Sequence, residues 1–573
     1  MDFKQFYQDK YPAGVSLDVD LNQYKSMVDV FEQATKKYGD KPAFSAVGAT
    51  LTYRDLDIQS RNFAAWLQNH TDLKLGDRIA VQMPNVSQYP VIIYGAMRAG
   101  LIVVNTNPLY TKREMEHQFN DSGARALVVL ANMADKAEKV VPNTGIEHVI
   151  VSEVADMHSP FKRTLMNAAV KYLKKMVPPF NIPGAHKLPA VLAAGAKEKF
   201  TPVEIKPDDL AVLQYTGGTT GVAKGAMLTH ANLMANVIQV RPMLEDQIID
   251  GQEVIIAPLP LYHIYSFTLN CGIMLEAGAH NILIPNPRDI PGFVKELKKH
   301  KFSAFMGLNT LFVALCNNED FQDLDFSALK LTASGGMALT SDTAKTWQRV
   351  TGCEITEGYG LTETSPVVTF NPHSAVQIGT IGLPIPSTFV KTIDDEGNET
   401  PIGEPGELCV KGPQVMRGYW QRPDDTRKSF TEDGYFRTGD VALIQEDGYL
   451  RIVDRKKDMI IVSGFNVYPN EVEDVIISHP NVVECAAVGV PDDKSGEVVK
   501  AYVVANKEGV SANELKEFCR ERLTAYKVPK HFEFRDELPK TNVGKILRRE
   551  LRDEANEESK QQKDSEQSEE SKA

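Results

Sequence analysis

Short apolar segments alternate with segments of helical periodicity from Asp77 onward. Ile79–Val81 is apolar, Val86–Ala99 has helical spacing, and Leu101–Val104 is apolar again. Further candidates for buried strands recur at 126–130, 148–151 and 279–284. Uninterrupted apolar strands that alternate with helices are typical of parallel sheets covered on both faces. The pattern therefore predicts an α/β fold, with a large multi-layer N-terminal domain of β-sheets flanked by helices.

A second domain is predicted after residue 456. The chain has 573 residues, too many for one ordinary core, and strand candidates resume at 459–462, 485–490 and 501–505. Asn470 with Glu473, and Ser511 with Glu514, have the spacing of helix capping boxes. We predict a large domain at 1–456 and a small α+β domain at 457–554. Residues 555–573 are rich in Glu, Ser, Lys and Gln without an aromatic residue, which predicts a disordered acidic tail.

Composition argues against several classes of protein. The net charge of −13 disfavours a nucleic-acid partner. The six cysteines form no CxxC pair, so we expect neither a zinc site nor a disulfide framework. The first residues lack the apolar core of a signal peptide, and a cytoplasmic location is expected. The weakly charged segment 255–275 contains residues that disqualify it as a membrane span: Pro258, Pro260, His263 and Asn270.

The segment Tyr215–Gly225 is dense in glycine and threonine and contains one lysine, Lys224. Glycines let backbone N–H groups converge on a polyphosphate, threonine hydroxyls add donors or a metal ligand, and the lysine supplies a mobile positive charge. It is not a Walker A loop, because Ala223 precedes the lysine and a glycine follows it. A strand candidate at 210–213 enters the segment, and the chain after it is compatible with a helix through Asn232 and Ala235. An ordinary turn between two strands requires fewer glycines and threonines, so a nucleotide-binding loop is favoured.

This loop resembles the first signature of the acyl-adenylate-forming enzymes, which include acyl-CoA synthetases, firefly luciferase and the adenylation domains of peptide synthetases. Four further motifs resemble that family's later signatures in the same order: EGYGLTET at 357–364, YFRTGD at 435–440, DRKKD at 454–458 and PKTNVGK at 539–545. Together with VSGFNVYP at 462–469, they make the chain similar to bacterial long-chain fatty acyl-CoA synthetases. The resemblance implies a ligase that converts ATP, a long-chain fatty acid and CoA into acyl-CoA, AMP and diphosphate through an acyl-adenylate. Such a product feeds fatty acid degradation and lipid metabolism.

The resemblance also implies roles for individual residues. Lys545 would carry adenylation, and Thr220 and Glu363 would hold Mg²⁺ in the catalytic site. His263 would border the acyl pocket, and Phe267 occupies the position of an aromatic gate where some relatives have tryptophan. The residues that the resemblance implies would contact ATP or CoA are Thr216, Gly217, Gly218, Thr219, Thr220, Lys224, Gly335, Gly336, Glu357, Gly358, Tyr359, Gly360, Thr362, Asp440, Arg455, Lys457, Ser463 and Gly464.

Within this set, Tyr359 would stack on adenine, and Asp440 would accept hydrogen bonds from both ribose hydroxyls. Lys457 would be the pivot about which a mobile small domain rotates, bringing Ser463–Gly464 to the pantetheine arm. The reaction itself requires a positively charged site, because the attack of a carboxylate on the α-phosphate of ATP brings two anions together. Taken alone, Lys545 in its basic run is more typical of a solvated surface.

Four alternatives remain open from the sequence. A fatty acyl-AMP ligase would load a carrier protein, although no carrier domain follows the small domain. A medium-chain acyl-CoA synthetase would share every motif, and luciferase-like oxygen chemistry would use the same adenylate. A nucleotide-gated lipid-binding protein without turnover would have no need of Lys545, Glu363 and Asp440. The resemblance also suggests a homodimer.

A basic stretch between Met157 and Lys197 predicts contact with a membrane surface. It contains no Asp or Glu, and its seven positive charges are Lys162, Arg163, Lys171, Lys174, Lys175, Lys187 and Lys197. Apolar residues follow at approximately helical spacing: Leu165, Met166, Ala169, Leu173, Met176 and Val177. We expect peripheral docking on the anionic inner face of the cytoplasmic membrane, with a solvated amphipathic surface helix as the alternative.

Overall fold

The computed structural model describes residues 2–216, 223–244, 246–492, 495–540 and 546–558. The chain divides into two compact units. The large unit comprises Met1–Val390, Val410–Phe436 and Asp447–Tyr449, and the small unit comprises Lys391–Cys409, Arg437–Glu446 and Leu450–Ala573.

The strands follow one another in chain order. They are β1 Pro42–Ala46, β2 Ala49–Thr52, β3 Arg78–Gln82, β4 Ile102–Thr106, β5 Ala124–Leu130, β6 His148–Ser152, β7 His186–Lys187, β8 Leu210–Thr216, β9 Lys224–Thr229, β10 Val254–Ala257, β11 His280–Leu283, β12 Ala304–Gly307, β13 Leu331–Ser334, β14 Ile355–Gly360, β15 Val367–Phe370, β16 Leu383–Pro384, β17 Phe389–Ile393, β18 Gly406–Lys411, β19 Phe436–Ile444, β20 Leu450–Arg455, β21 Ile460–Val462, β22 Phe465–Val467, β23 Val482–Asp492, β24 Gly496–Ala505 and β25 His531–Phe534.

The α-helices are interspersed among them. They are α1 Phe3–Tyr7, α2 Met27–Tyr38, α3 Tyr53–His70, α4 Gln88–Arg98, α5 Lys112–Ser122, α6 Ala134–Val140, α7 Pro160–Ala168, α8 Leu188–Gly195, α9 His230–Val240, α10 Ile264–Thr268, α11 Met274–Glu276, α12 Ile290–Leu297, α13 Asn309–Cys316, α14 Glu319–Gln322, α15 Ser341–Thr351, α16 Pro423–Lys428, α17 Pro469–Ile477 and α18 Ala512–Arg520. Residues 548–558 are also helical.

Two large sheets form the framework of the large unit. One has the strand order β16-β15-β14-β13-β12-β10-β11-β1-β2, and the other has the order β7-β6-β5-β3-β4-β8-β9. The pairs β3–β4, β3–β5, β5–β6 and β4–β8 are parallel, as are β10–β12, β12–β13 and β13–β14. The predicted α/β class with sheets and helices is confirmed. The predicted strands are uniformly apolar because helices cover them: Ile79, Val103 and Val128 all have no exposed surface.

The small unit has a separate core beneath its own sheet. Its five-stranded sheet contains β22-β21-β24-β23, with β25 paired to β24. A core that includes Val467, Val472, Val503 and Leu515 lies between this sheet and helices α17 and α18. Strands β17 to β20 form a further four-stranded sheet. The predicted start of the small domain at 457 therefore lies within a unit that also includes earlier segments of the chain.

Several local predictions have distinct outcomes. Ser511 caps α18 by accepting a hydrogen bond from the Glu514 N–H, as its spacing predicts. The cap at Asn470 is wrong, because α17 begins at Pro469 and its N-cap residue, Tyr468, makes no side-chain cap. The start of the tail is also wrong, because residues 555–558 continue a helix and Ala555 is buried. The remainder of that tail, 559–573, lies outside the described residues.

Candidate active site

Glycines and acidic residues meet at the carboxyl edge of the nine-stranded sheet. Strand β13 ends at Ser334, which lies in register with Glu357 of the neighbouring parallel strand β14. Gly335 follows directly, and a Cβ atom there would approach the Gly358 carbonyl oxygen to 3.2 Å. Gly336 has φ +82°, a conformation that favours glycine. Ligands of α/β sheets bind beyond the carboxyl ends of the strands, so this edge is suited to a nucleotide.

Glu357 is held in a low-dielectric position at this edge. Burial raises the pKa of its carboxyl group to about 8, and the hydrogen bond that Leu339 N–H donates to it acts in the opposite direction. That bond spans 3.3 Å from the Leu339 nitrogen to Glu357 Oε1. A carboxyl group with this pKa is largely protonated at neutral pH, so it can donate as well as accept a hydrogen bond.

The chain reverses between Tyr359 and the metal-ligand candidate Glu363. Gly360 ends β14, and a Cβ atom there would lie 2.0 Å from the Pro366 carbonyl oxygen, so only glycine fits. A 3₁₀ turn at Thr362–Thr364 follows and carries Glu363. The structure thus brings the predicted residues 357–363 together at the same edge as Gly335–Gly336.

The two ends of the glycine- and threonine-rich loop face each other across an antiparallel pair. Thr216, the last residue of β8, is in register with Lys224, the first residue of β9. The helix compatible with the sequence begins only at His230, because β9 intervenes. Lys224 Nζ lies 2.9 Å from Asp425 Oδ2. The predicted site residues Gly217, Gly218, Thr219 and Thr220 lie outside the described residues.

The candidate acyl-pocket residues lie in and before the short helix α10. His263 Nδ1 accepts a hydrogen bond of 3.4 Å from the Tyr265 N–H, so this histidine caps the helix. Phe267 is buried within the large core, next to a π-helical turn at Leu269–Ile273. Turns of this type occur frequently at functional sites.

Asp440 and Arg455 face each other in the small unit. They are in register on the antiparallel strands β19 and β20, and Arg455 Nε lies 3.3 Å from Asp440 Oδ1. Asp440 is buried, with its backbone N–H bonded to the Thr438 hydroxyl at 3.1 Å. An ionised carboxylate fixed in this way can accept bonds from a vicinal diol.

The predicted hinge is held by ion pairs on both sides of Lys457. Lys456 Nζ lies 2.8 Å from Asp395 and 3.3 Å from Glu407. Arg552 donates a hydrogen bond of 3.0 Å to the Lys457 carbonyl oxygen. Lys457 itself is exposed, so its backbone is held while its side chain lies at the surface.

Arg548 forms a buried ionic cluster that sequence reasoning missed. Its Nε donates to Glu473 Oε1 at 2.8 Å, and its Nη1 lies 3.7 Å from Asp454 and 3.9 Å from Asp458. This cluster explains the failed cap, because Glu473 turns inward to the arginine, while Asn470 also accepts a bond from Arg548. The available signal was the presence of two aspartates, Asp454 and Asp458, in the hinge motif and of a basic run at 545–549.

Replacing Arg548 with Met is expected to lower the free energy of unfolding of the small unit by about 3 kcal/mol, because Glu473 and Asp454 would remain buried without their cation. The three tryptophans lie in the large unit, so hydrogen exchange at β23 and β24 is the appropriate measurement. Arg549→Met is the control, since its ion pair with Asp553 is exposed. Equal protection in the two variants would contradict a stabilising role for the cluster.

Ser463 and Gly464 form the two-residue turn between β21 and β22. Both have positive φ, 52° and 83°, as hairpin turns of this length require. Both residues are exposed, and a Cβ atom at Gly464 would have no neighbour within 4 Å. The turn is therefore open to a ligand as well as structurally required. Lys545 lies outside the described residues.

The arrangement matches a known family. The profile described as AMP-binding enzyme covers residues 31–420, and that of the AMP-binding enzyme C-terminal domain covers 471–545. The chain belongs to the AMP-binding enzyme family. Among its relatives in this family is the long-chain-fatty-acid–CoA ligase of Escherichia coli O6:H1, which is 54% identical over 96% of this chain and 98% of that protein. The ligase of the same name from Bacillus subtilis is 38% identical over 96% of this chain and 98% of its own length.

Solved structures of the family share the fold. ATP-bound MatB from Rhodopseudomonas palustris has a TM-score of 0.79 and 30% identity, covering 92% of this chain and 98% of that one. The anthranilate CoA ligase AuaEII in complex with anthranoyl-AMP has a TM-score of 0.81 and 25% identity, covering 94% of this chain and 98% of that one.

Proposed function

We propose that the protein is an AMP-forming ligase that converts ATP, a long-chain fatty acid and CoA into acyl-CoA, AMP and diphosphate. The observation that carries the proposal is the 54% identity, over 96% of the chain, to a relative named long-chain-fatty-acid–CoA ligase. The carboxyl edge that holds Glu357–Gly360 and Glu363 supports it. The product is an acyl-CoA thioester, an activated form of the fatty acid that is consumed in fatty acid degradation and lipid metabolism.

In the first half-reaction, a carboxylate oxygen of the fatty acid attacks the α-phosphorus of ATP and diphosphate leaves. Two anions approach each other, so fixed positive charge is required. Lys545 and Lys224 supply it in this proposal, with the backbone of 216–220 around the phosphates. Asp440 binds the ribose, and Arg455 bonds the ribose or the phosphates. Tyr359 stacks on the adenine, while the Gly335–Gly336 backbone lines the adenine or the acyl pocket.

The residues present fit Mg²⁺. Glu363 offers a carboxylate, the hard oxygen ligand that this ion prefers, on a turn at the nucleotide edge. Thr220 is its proposed partner. When bound, the ion neutralises phosphate charge.

In the second half-reaction, the CoA thiol attacks the acyl carbonyl and AMP leaves with the oxygen that came from the carboxylate. We propose a domain boundary between residues 456 and 457, with Lys457 as the pivot and Ser463–Gly464 beside the pantetheine arm. The ion pairs around Lys456 and the exposed turn support these two roles. His263 and Phe267 are proposed to border the acyl chain, which the apolar surroundings of α10 support.

The substrate class is tested by measuring AMP release from ATP with acetate, octanoate, palmitate and oleate, each with and without CoA. We expect CoA-dependent turnover that rises toward palmitate and oleate. A maximum at octanoate would identify a medium-chain synthetase. Adenylate that accumulates regardless of CoA would identify a ligase that loads a carrier protein, and no turnover would identify a binding protein. Light scattering on the same preparation tests the homodimer that the resemblance suggests.

We also propose that residues 160–176 dock on an anionic membrane. Helix α7 continues as a π-helical turn at Ala169–Leu173, and large apolar side chains project from this segment into solvent. Their exposed fractions are 82% for Phe161, 63% for Leu165, 70% for Tyr172, 82% for Leu173 and 55% for Met176. Among the described residues, no helix is long and apolar enough to cross a membrane.

The surroundings of this segment support a membrane surface as its partner. Lys171, Lys174 and Lys175 are exposed beside the apolar side chains. The opposite side is anchored, because buried Asn167 accepts a bond from the Ala155 N–H at 2.9 Å and Asn132 donates to the Met176 carbonyl oxygen at 2.9 Å. Basic residues flanking exposed aromatic and aliphatic side chains complement anionic headgroups above an acyl region. Fatty acids partition into the same layer.

A further inference from the structure

Tyr419 is fixed to the strand that leaves the glycine- and threonine-rich loop. The backbone of Tyr419 forms an antiparallel bridge with that of Ala226 in β9. The neighbouring hydrogen bonds run from Met227 N–H to the Gly418 carbonyl at 2.9 Å and from Trp420 N–H to the Gly225 carbonyl at 2.8 Å. The backbone of Tyr419 therefore has the same rigid support as the residues that follow the loop.

A close turn next to Tyr419 reinforces this position. Gly418 has φ +146°, and a Cβ atom there would lie 2.6 Å from Thr426 Cγ2. The hydroxyl of Thr426 accepts a hydrogen bond from the Tyr419 N–H at 2.9 Å. Glycine is required because the chain passes too close to α16 for a side chain.

The side chain of Tyr419 contacts two residues of the proposed phosphate site. Its hydroxyl donates a hydrogen bond to Glu363 Oε1 at 2.7 Å. Lys224 Nζ lies over its ring, 5.4 Å from the centroid. The backbone carbonyl of Glu363 also accepts a bond from the Met416 N–H at 2.7 Å, so the segment before Tyr419 holds the same residue.

The hydroxyl is the donor in this bond, because an ionised carboxylate can only accept hydrogen bonds. A carboxylate has two oxygens and about four lone-pair sites, so one bond from a tyrosine orients the group without exhausting its capacity for a cation. Partners of metal ligands commonly fix ligand orientation in this way.

We propose that Tyr419 is a positioning residue for Mg²⁺ binding, which orients the Glu363 carboxylate through its hydroxyl and supports Lys224 through its ring. The inference rests on the proposed function. It adds the residue that determines how much Mg²⁺ the protein needs for nucleotide binding. It concerns the geometry of Glu363 in the free protein, before any nucleotide is bound.

The test is Tyr419→Phe, which keeps the ring and removes only the hydroxyl. Binding of the α,β-methylene analogue of ATP, which cannot transfer its adenylyl group, is measured by calorimetry across a Mg²⁺ titration and in EDTA. The Mg²⁺ concentration for half-maximal binding is expected to rise about tenfold, with binding in EDTA unchanged. Tyr24→Phe is the matched control, because it removes a hydroxyl that donates to Glu276 at 2.9 Å elsewhere in the large unit.

Glu363→Gln separates failure of the inference from failure of the proposed function. If Glu363→Gln raises the Mg²⁺ requirement and Tyr419→Phe does not, the positioning role is wrong and the metal site stands. If neither variant shifts it, both the metal role of Glu363 and the inference are overturned. A shift of the same size in Tyr24→Phe would overturn the inference as well, since the effect would then not be local.

Discussion

Lys545→Ala is expected to abolish nearly all adenylation while sparing thioester formation. Loss of a cation that stabilises developing charge in a transition state costs about 10³-fold, so fatty-acid-dependent exchange of diphosphate into ATP should fall by that factor. Attack of CoA on preformed palmitoyl-adenylate passes through a different transition state. Its rate should therefore stay close to that of the unmodified protein.

The control for this prediction is Lys530→Ala. Lys530 is an exposed lysine of the same small unit, and it pairs with Asp492. We expect both half-reactions of this variant to proceed at their ordinary rates. Equal losses of both half-reactions in Lys545→Ala would contradict the proposed role, because they would indicate damage to the fold rather than to one step.

Reversing the charges of Lys171, Lys174 and Lys175 to Glu is expected to weaken binding to vesicles that contain phosphatidylglycerol by at least about 100-fold. Each basic residue near an anionic surface contributes roughly 1 kcal/mol, and three together correspond to about two powers of ten in affinity. Sedimentation of the protein with vesicles measures the effect. Added salt should likewise weaken the binding of the unmodified protein to these vesicles.

Two controls make this result specific. Replacing Lys36, Lys112 and Lys345 with Glu changes the net charge equally at exposed positions elsewhere, and this variant should bind at least tenfold more tightly than the first. Replacing Phe161 and Leu173 with Ser should weaken binding without changing the charge, because both side chains would insert into the acyl layer. Unchanged binding after the first triple substitution would refute the docking surface and favour a solvated helix.

The framework of the large unit could be predicted because its signal is local. Buried parallel strands such as β3, β4 and β5 are continuous apolar runs, and each was visible without knowledge of its partners. Strand β9 was missed, since Lys224–Thr229 directly follows a loop whose glycines dominate the pattern. Its burial depends on pairing with β8, which a local pattern does not contain.

Residues that act through distant partners could not be predicted. The bond between Tyr419 and Glu363 joins positions 56 residues apart, and that between Arg548 and Glu473 joins positions 75 apart. The cap predicted at Asn470 was wrong for this reason, because Glu473, its expected capping partner, pairs with Arg548 instead. The motifs name candidate ligands such as Glu363, whereas contacts between side chains far apart in the sequence become visible only in the fold.

The segment 160–176, which we propose docks on a membrane, was predictable in part. The absence of acidic residues was evident from the sequence, whereas the exposure of Phe161 and Tyr172 became visible only in the structure. The π-helical turn at Ala169–Leu173 shifts the following residues around the helix axis. Met166 and Ala169, which precede or begin this turn, were grouped by their spacing with the apolar residues expected at the membrane, and both are only partly exposed.

In the proposed reaction, the carboxylate of a long-chain fatty acid is activated as an adenylate. Palmitate labelled with ¹⁸O in both carboxyl oxygens tests this step, in the presence of ATP and CoA, by mass spectrometry of the phosphate-containing products. We predict one ¹⁸O atom in AMP and none in diphosphate, because the attacking oxygen leaves with the α-phosphate. Unlabelled AMP, or label in inorganic phosphate formed alongside ADP, would contradict the account.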